Sequence, residues 1–401
     1  MITPAAAAQS IREVTPTWPQ EDCPLLEAHG RILRVALRAE RDLPPFDRAT
    51  MDGYALRSAA VAAGVTSFAV EGIQPAGHAP LALGPAPEAC VEIMTGAVLP
   101  LGADAVVAYE ETARAGGRMT LAPGRAVAPG GAVHRRGSDH RAGEVIVEAG
   151  ARLTGREIAV AAACGYAQVG VSRLPRIALV ATGDELVEVD APVEPHQIRR
   201  SNDYALRAAL AQAGYTQTDR FHLRDDRNAI ATLLERLLAD YDVVLLSGGV
   251  SKGKFDFLPE ELARQGVRRV FHGVAQRPGK PLWFGVGPRD QLVFALPGNP
   301  VAAYTCLHRY ALPALAQASG AAAAATPLLP LAAAFTFRPP LACLLPVKWE
   351  AMPEGGWRAV PAPGNTSGDF AGLVGTDGFV ELPADQDVFP AGFLAAFWAW
   401  V

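Results

Sequence analysis

Three solid apolar segments, each running straight into a loop of small polar residues, constrain this chain more than any other feature. Residues 176–181 lead into Thr182-Gly183-Asp184-Glu185, residues 242–246 into Ser247-Gly248-Gly249-Val250, and residues 292–296 into Pro297-Gly298-Asn299-Pro300. A strand with no polar alternation suits burial on both faces, the condition inside a parallel sheet. Between these segments the spacing turns helical, at 202–212, 229–238, 257–264 and 300–316, and further strands are expected at 220–223, 267–275 and 281–285. Strands and helices alternating at these lengths predict a doubly wound, mostly parallel α/β domain over 172–320.

Ligands of such a sheet bind at the carboxyl ends of its strands, where all three small-residue loops fall. Glycine lets backbone N–H groups approach an anion closely, and a helix start adds partial positive charge. The expected anion cradle is therefore Thr182, Gly183 and Asp184, then Ser247, Gly248, Gly249 and Val250, then Pro297, Gly298 and Asn299. The segment Arg277-Pro278-Gly279-Lys280 supplies two cations held by Pro and Gly near the same edge. Only four of the 36 Lys and Arg residues are lysines, and Lys252, Lys254 and Lys280 fall within residues 252–280. That clustering favours an anion clamp over a solvated turn. Asp184, Glu185, Asp225, Asp226 and Asp256 are also expected at this edge. Asp226 and Asp256 suit helix capping, while Glu185 and Asp256 suit Mg²⁺, which takes one or two carboxylates plus phosphate oxygens. No GxGxxG follows the first strand and no Gly-Lys-Ser/Thr is present, which excludes the Rossmann and Walker A fingerprints.

The remaining residues have a different character. A helical start is expected, then a second helix at 25–36, ended by Pro44-Pro45. Short apolar runs split by Gly and Pro at 68–71, 89–93 and 105–109, with a hairpin turn at Gly116-Gly117, predict a β-rich insert over 50–134. Residues 1–49 with 135–171 are expected to form a discontinuous N-terminal domain around that insert, and residues 327–401 a C-terminal β module. Met51-Asp52-Gly53-Tyr54 make a poor strand and a poor helix, so a shaped loop is expected there. A second small-residue loop is expected at Thr95-Gly96-Ala97.

The net charge of −5 argues against nucleic acid as the main partner. The five cysteines form no CxxC pair, which points to reduced thiols in the cytoplasm. No segment reads as a signal peptide or a membrane span.

As an ordered set, these motifs resemble the molybdopterin molybdotransferases, bacterial MoeA and the C-terminal region of gephyrin. The set comprises PPFD and MDGYA within 44–55, EIMTGA at 92–97, RRGSD at 135–139, ATGDEL at 181–186 and SND at 201–203. It continues with RDD at 224–226, SGGVS at 247–251, RPGKP at 277–281 and LPGNP at 296–300. The resemblance implies Mg²⁺-dependent insertion of molybdenum from molybdate into adenylylated molybdopterin, with release of AMP. It implies a homodimer with a shared active-site cleft, and it allows other cofactor-biosynthesis proteins as partners. The catalytic residues it implies are Asp52 and Thr95 from the partner subunit, with Glu185, Asp225, Asp256 and Lys280 from the α/β domain. Glu185, Asp225 and Asp256 would hold the metal. Asp52 and Glu185 would either orient molybdate or position the metal. Two alternatives use the same α/β domain: adenylylation of molybdopterin, and a non-catalytic molybdopterin-binding scaffold. The chain departs from the family pattern at Lys252 and Lys254, at Arg277, and near Leu341, where a basic residue is expected. Lys348 or Arg338 would be the substitute for that last residue.

Overall fold

Every residue of the strands Ile177–Thr182, Val243–Ser247 and Leu292–Leu296 is buried. In the computed structural model, which describes residues 1–224, 226–249 and 258–400, these strands lie side by side and parallel. Ile177 is opposite Val243, and Val243 is opposite Leu292. Thr218–Leu223 pairs parallel with Ile177–Thr182 on one side. Trp283–Val286 and Arg268–His272 extend the other side antiparallel, giving a six-stranded sheet.

Side chains alternate across a strand, and here both sets are apolar. Ile177, Leu179, Val243, Leu245 and Phe294 share one core with the helix Asn202–Gln212 and the helical residues 300–318. Ala178, Val180, Val244, Leu246 and Val293 share a second core with the helices Arg227–Asp240 and Leu258–Arg264. Each fully buried Leu, Val or Phe contributes about 1.5–3 kcal/mol, so both faces must be covered and a doubly wound sheet results. The mostly parallel α/β fold read from the sequence is the one observed. The first helix, Pro4–Val14, adds Ala7 and Ile11 to the first core.

The chain divides into two compact units. One comprises Met1–Arg34, Ala149–Thr154 and Gln168–Val401, the other Val35–Glu148 and Gly155–Ala167. The first also contains a second six-stranded sheet, built from Ala342–Ala351, Trp357–Pro361, Gly378–Leu382, Leu394–Ala399, Leu328–Pro330 and the short strand Gln276–Arg277. The second unit contains a six-stranded sheet in which Gly53–Leu56 lies between Ala105–Ala108 and Ala89–Ile93. Among the described residues, no helix is long and apolar enough to cross a membrane.

Three expectations are corrected. Residues 25–36 are not a helix. A 3-10 turn at Leu25–Glu27 stops before Gly30, whose φ is +78°, and Ile32 and Leu33 then form bridges to Arg152 and Val171. The MDGYA segment is only partly a loop, because Gly53–Leu56 is a fully buried strand. Propensity disfavours glycine there, but a Cβ at Gly53 would collide with the Val107 backbone, so the close pairing requires it. The helix beginning at Pro300 carries a π-helical segment, Leu307–Ala311, before resuming at Leu312–Ala318.

That π segment holds His308, which is 4% exposed and has Nδ1 2.9 Å from the Tyr304 carbonyl. Burial pushes its pKa down from 6.5 to about 4, against the opposing effect of that hydrogen bond. The folded ring therefore stays neutral where the unfolded chain already binds a proton. Stability is expected to fall as pH drops from about 6.5 towards 4, losing about 2–3 kcal/mol by pH 4.5. Urea unfolding at pH 7 and pH 4.5, compared with His308→Gln, measures this term; an equal acid loss in both proteins would assign it to other groups.

Candidate active site

The sheet delivers its three small-residue loops to one place because three adjacent parallel strands end there in register. The loops surround a cavity of about 840 Å³, large enough for a ligand of several hundred daltons. Thr182, Gly183 and Glu185 line it from the first loop and Ser247, Gly248 and Gly249 from the second. Pro297, Gly298 and Asn299 complete that side, Arg277 ends the strand Gln276–Arg277, and Lys280 lies in the turn that follows it. Asp184 is exposed and is not among the lining residues. Asp225, Val250, Lys252, Lys254 and Asp256 lie outside the described residues.

Close packing fixes the loop shapes. Gly248 has φ +100°, and a Cβ there would sit 2.6 Å from Thr182 Oγ1 and 2.9 Å from the Thr182 carbonyl oxygen. Only glycine lets the second loop lie this close to the first. Asn202, at the start of its helix, donates from Nδ2 to Ser247 Oγ at 2.7 Å and to the Gly298 carbonyl at 2.7 Å. It thus ties the second loop to the third. Asn299 in turn donates to Ser367 Oγ at 2.7 Å, which brings Ser367 and Gly368 of the C-terminal module to the cavity. Neither Asn202 nor Ser367 is among the site residues expected from the sequence, although SND at 201–203 is the signal that marks Asn202.

The cavity's cations divide into two kinds. Arg200 is 5% exposed and is spent on Glu188 and on Asp203 Oδ2, the latter at 2.5 Å. Asp203 is 1% exposed and also accepts from Arg220 Nε at 2.7 Å. Arg199 donates to the carbonyls of Glu188, Val189 and Ala191. Arg277 and Lys280, by contrast, form no ion pair with another described residue. Their exposed side chains are the charge available to a ligand. Leu341 lines the cavity, whereas Arg338 and Lys348 do not.

Among the described residues, no three His, Cys, Asp or Glu side chains converge as a metal cluster. Among the described residues two carboxylates line the cavity, Glu185 and Asp203, and the arginines occupy Asp203. Glu185 folds its carboxylate over Gly183. One carboxylate completed by phosphate oxygens and water is a sufficient protein contribution for Mg²⁺.

The second unit holds a separate polar pair. Thr95 donates to Asp52 Oδ1 from its backbone N at 2.6 Å and from its hydroxyl at 2.8 Å. The backbone bond first, and the hydroxyl second, hold the Asp52 carboxyl below its ordinary 3.8. An exposed, ionised carboxylate results, fixed between the Met51–Asp52 turn and the Thr95 loop.

Comparison with known proteins decides which family carries this arrangement. Three family models match in order: the MoeA N-terminal region (domain I and II) over residues 2–165, a probable molybdopterin binding domain over 178–317, and the MoeA C-terminal region (domain IV) over 329–400. The chain is 40% identical over 404 aligned residues to the molybdopterin molybdenumtransferase of Synechocystis sp., covering 100% of both proteins. The chain belongs to the MoeA family.

Another MoeA-family relative, the molybdopterin molybdenumtransferase of Staphylococcus epidermidis, is 32% identical over 91% of this chain and 88% of its own length. Among solved structures, the molybdopterin biosynthesis moeA protein from Pyrococcus horikosii aligns with a TM-score of 0.80 at 30% identity, over 100% of this chain and 99% of its own. A structure of the moeA protein from Pyrococcus horikoshii OT3 aligns at 0.83 and 25% identity, over 100% of both chains. The MoeA assignment agrees with the resemblance drawn from the ordered motifs.

Proposed function

We propose that this chain is a molybdopterin molybdenumtransferase, converting adenylylated molybdopterin and molybdate to molybdenum cofactor and AMP. The observation that carries the reading is the convergence of three anion-shaped loops with Arg277 and Lys280 in a MoeA-family chain. The substrate's phosphoanhydride needs an anion cradle, and molybdate is itself an oxyanion. A molybdate oxygen attacks the phosphorus on the molybdopterin side of the phosphoanhydride, that bond breaks and AMP departs. As molybdenum(VI) then passes to the two molybdopterin sulfurs, that oxygen stays on the molybdopterin phosphate. A second molybdate oxygen leaves as water with the two thiol protons, without change of oxidation state. The Ser247 hydroxyl and the Gly249 N–H would hold the phosphate oxygens, and Gly248 would allow their close approach while its own N–H stays on the Leu296 carbonyl. Thr182, Gly183, Val250, Pro297, Gly298 and Asn299 would complete the ligand site. Lys280 and Arg277 would neutralise charge that appears only as the bond breaks.

Mg²⁺, when bound, would offset phosphate charge. Glu185 would hold it, joined by Asp225 and Asp256. Asp52, kept ionised by Thr95, would be supplied by the partner subunit of a homodimer and would act on molybdate or the metal. The four-part domain division belongs to the same reading. So does a cytoplasmic location, which suits five buried cysteines that form no disulfide.

The test incubates purified protein with adenylylated molybdopterin, molybdate and Mg²⁺ and measures AMP together with activation of a molybdenum-dependent apoenzyme. Both are expected in wild type, and Asp52→Asn is expected to lose turnover by about 10²-fold with the fold intact. ATP consumption without molybdate would instead identify an adenylyltransferase, and binding without AMP release a scaffold. Turnover of Asp52→Asn equal to wild type would remove Asp52 from the mechanism.

A further inference from the structure

Directly behind the Arg277–Lys280 turn lies a buried polar cluster that the proposed reaction does not use. Gln276 and Cys306 are 0% exposed, and Tyr310 is 1% exposed. The Tyr310 hydroxyl donates to Gln276 Oε1. Gln276 Nε2 donates to the Pro278 carbonyl at 3.1 Å and lies 3.6 Å from Cys306 Sγ. Both donors and the acceptor of the amide are therefore engaged. Burial pushes the Cys306 thiol up to about 12 and raises the Tyr310 phenol, so both stay protonated.

The rest of the turn is closed by its backbone. Val274 N donates to the Lys280 carbonyl at 2.9 Å, and Leu282 N to the Gly279 carbonyl at 3.1 Å. The Pro278 carbonyl, at the middle of the turn, is held by the Gln276 side chain instead. Gly279, at φ +95°, is pressed onto the cluster: a Cβ there would sit 2.5 Å from Cys306 Sγ and 2.6 Å from Gln276 Nε2. Tyr310 belongs to the π-helical segment Leu307–Ala311, in the helical stretch that begins at Pro300 on the cavity wall. One run of helix thus lines the cavity at its start and props the cation turn from behind with its π segment, a distortion often found at functional sites.

Stability alone gives weak reason for this arrangement. A buried amide and phenol pay for desolvation with the bonds they make, and an apolar pair of the same shape would be nearly neutral. What an apolar pair would lack is a hold on the Pro278 carbonyl. We propose that Gln276, braced by Tyr310, is a positioning residue that sets Arg277 and Lys280 at a fixed distance from the Pro297–Asn299 loop. The inference deepens the functional reading above and rests on its assignment of those two cations to the anionic substrate. Gln276 also borders the cavity, but its side-chain polar atoms are engaged by Tyr310, Pro278 and Cys306, so it acts through the turn.

The test compares wild type, Tyr310→Phe, the double variant Gln276→Leu/Tyr310→Phe, and each combined with Lys280→Ala. KM and kcat for AMP release from adenylylated molybdopterin are measured beside the melting temperature. The double variant removes both partners at once, so its melting temperature is expected to stay within a few degrees of wild type. Its kcat for AMP release is expected to fall about tenfold with KM little changed, as for a misplaced group that acts in the transition state. That loss is expected to shrink to less than about threefold when Lys280 is already alanine, because the two changes act on one contact. An unchanged kcat, or losses that simply multiply, would overturn the proposal. If the double variant does not fold, Tyr310→Phe alone decides, with a fall in kcat of about threefold expected on the same grounds and none overturning the inference. A wild type that neither binds adenylylated molybdopterin nor releases AMP would sink the functional reading itself, and this inference with it. An active wild type with indifferent variants would sink the inference alone.

Discussion

Lys280→Ala is expected to lower kcat for AMP release by about 10²–10³-fold while the protein stays folded, the scale for losing one preorganised electrostatic stabiliser. The side chain is exposed into the cavity, so its removal uncovers no apolar core. The turn beneath keeps its shape, because the Val274 N to Lys280 carbonyl bond involves only backbone. Arg277 stands on the same turn, but a planar fork cannot reproduce a compact ammonium three residues away. If Lys280 meets charge that develops only in the transition state, kcat and kcat/KM fall together. If it merely holds the substrate, KM rises and kcat survives. Steady-state kinetics across the adenylylated molybdopterin range separates the two, and turnover within threefold of wild type would remove Lys280 from the catalytic set.

The second large effect is on stability. Asp203→Ala is expected to cost about 3–5 kcal/mol in urea unfolding, the range for removing one partner of a buried ion pair. Asp203 is 1% exposed and its Oδ2 serves Arg200 and Arg220 together. Without it, Arg200 keeps the Phe221 carbonyl and, as counter-charge, Glu188, whose side chain is 46% exposed and so a weaker one. Arg220 keeps the half-exposed Glu188 at 3.4 Å and its stacking over Tyr204, 3.7 Å from the ring centroid, but neither matches the buried Asp203 carboxylate. The cluster is not perfectly satisfied even in the native chain: Asp203 Oδ1 and Arg200 Nε are buried without a hydrogen-bond partner among the described residues. Such an arrangement is a weak source of net stability yet expensive to break, because breaking it strands a charge. Since Arg200 and Asp203 line the cavity, substrate binding should weaken alongside. A loss below about 1 kcal/mol would show that solvent reaches Arg200 readily once Asp203 is gone.

The α/β layer was legible because its physics is local. Strands buried on both faces demand uninterrupted apolar runs, and Leu292–Leu296 has the limits that its sequence suggests. The Gly116-Gly117 hairpin is equally plain, since both residues adopt positive φ between paired strands. Asp226 caps its helix as its position suggests, accepting from Ala229 N at 2.8 Å. Misreadings occurred where a distant partner overrides local preference. Gly53 belongs to a strand because the Val107 backbone leaves no room for a side chain. Residues 25–36 carry enough apolar residues for a helix, but Ile32 and Leu33 are used in bridges to segments more than 100 residues away.

The same division runs through the candidate site. The sequence by itself determined which chemistry was available: three glycine-bearing loops after buried strands, two cations on a Pro-Gly turn, and an ordered motif set specific enough to name the family. Those features survive in a linear string because backbone conformation and side-chain charge belong to single residues. Only the tertiary structure decided which cations remain available. Arg200 and Arg199 are as basic as Lys280 in sequence, yet one is consumed by Asp203 and Glu188 and the other by loop carbonyls. Only the structure, too, showed that Asn202 ties two loops together and that Gln276 and Tyr310 brace a third element from behind. Hydrogen-bond partners are set by proximity after packing, and residues 34 or 96 positions apart become neighbours only once the sheet has brought its ends together.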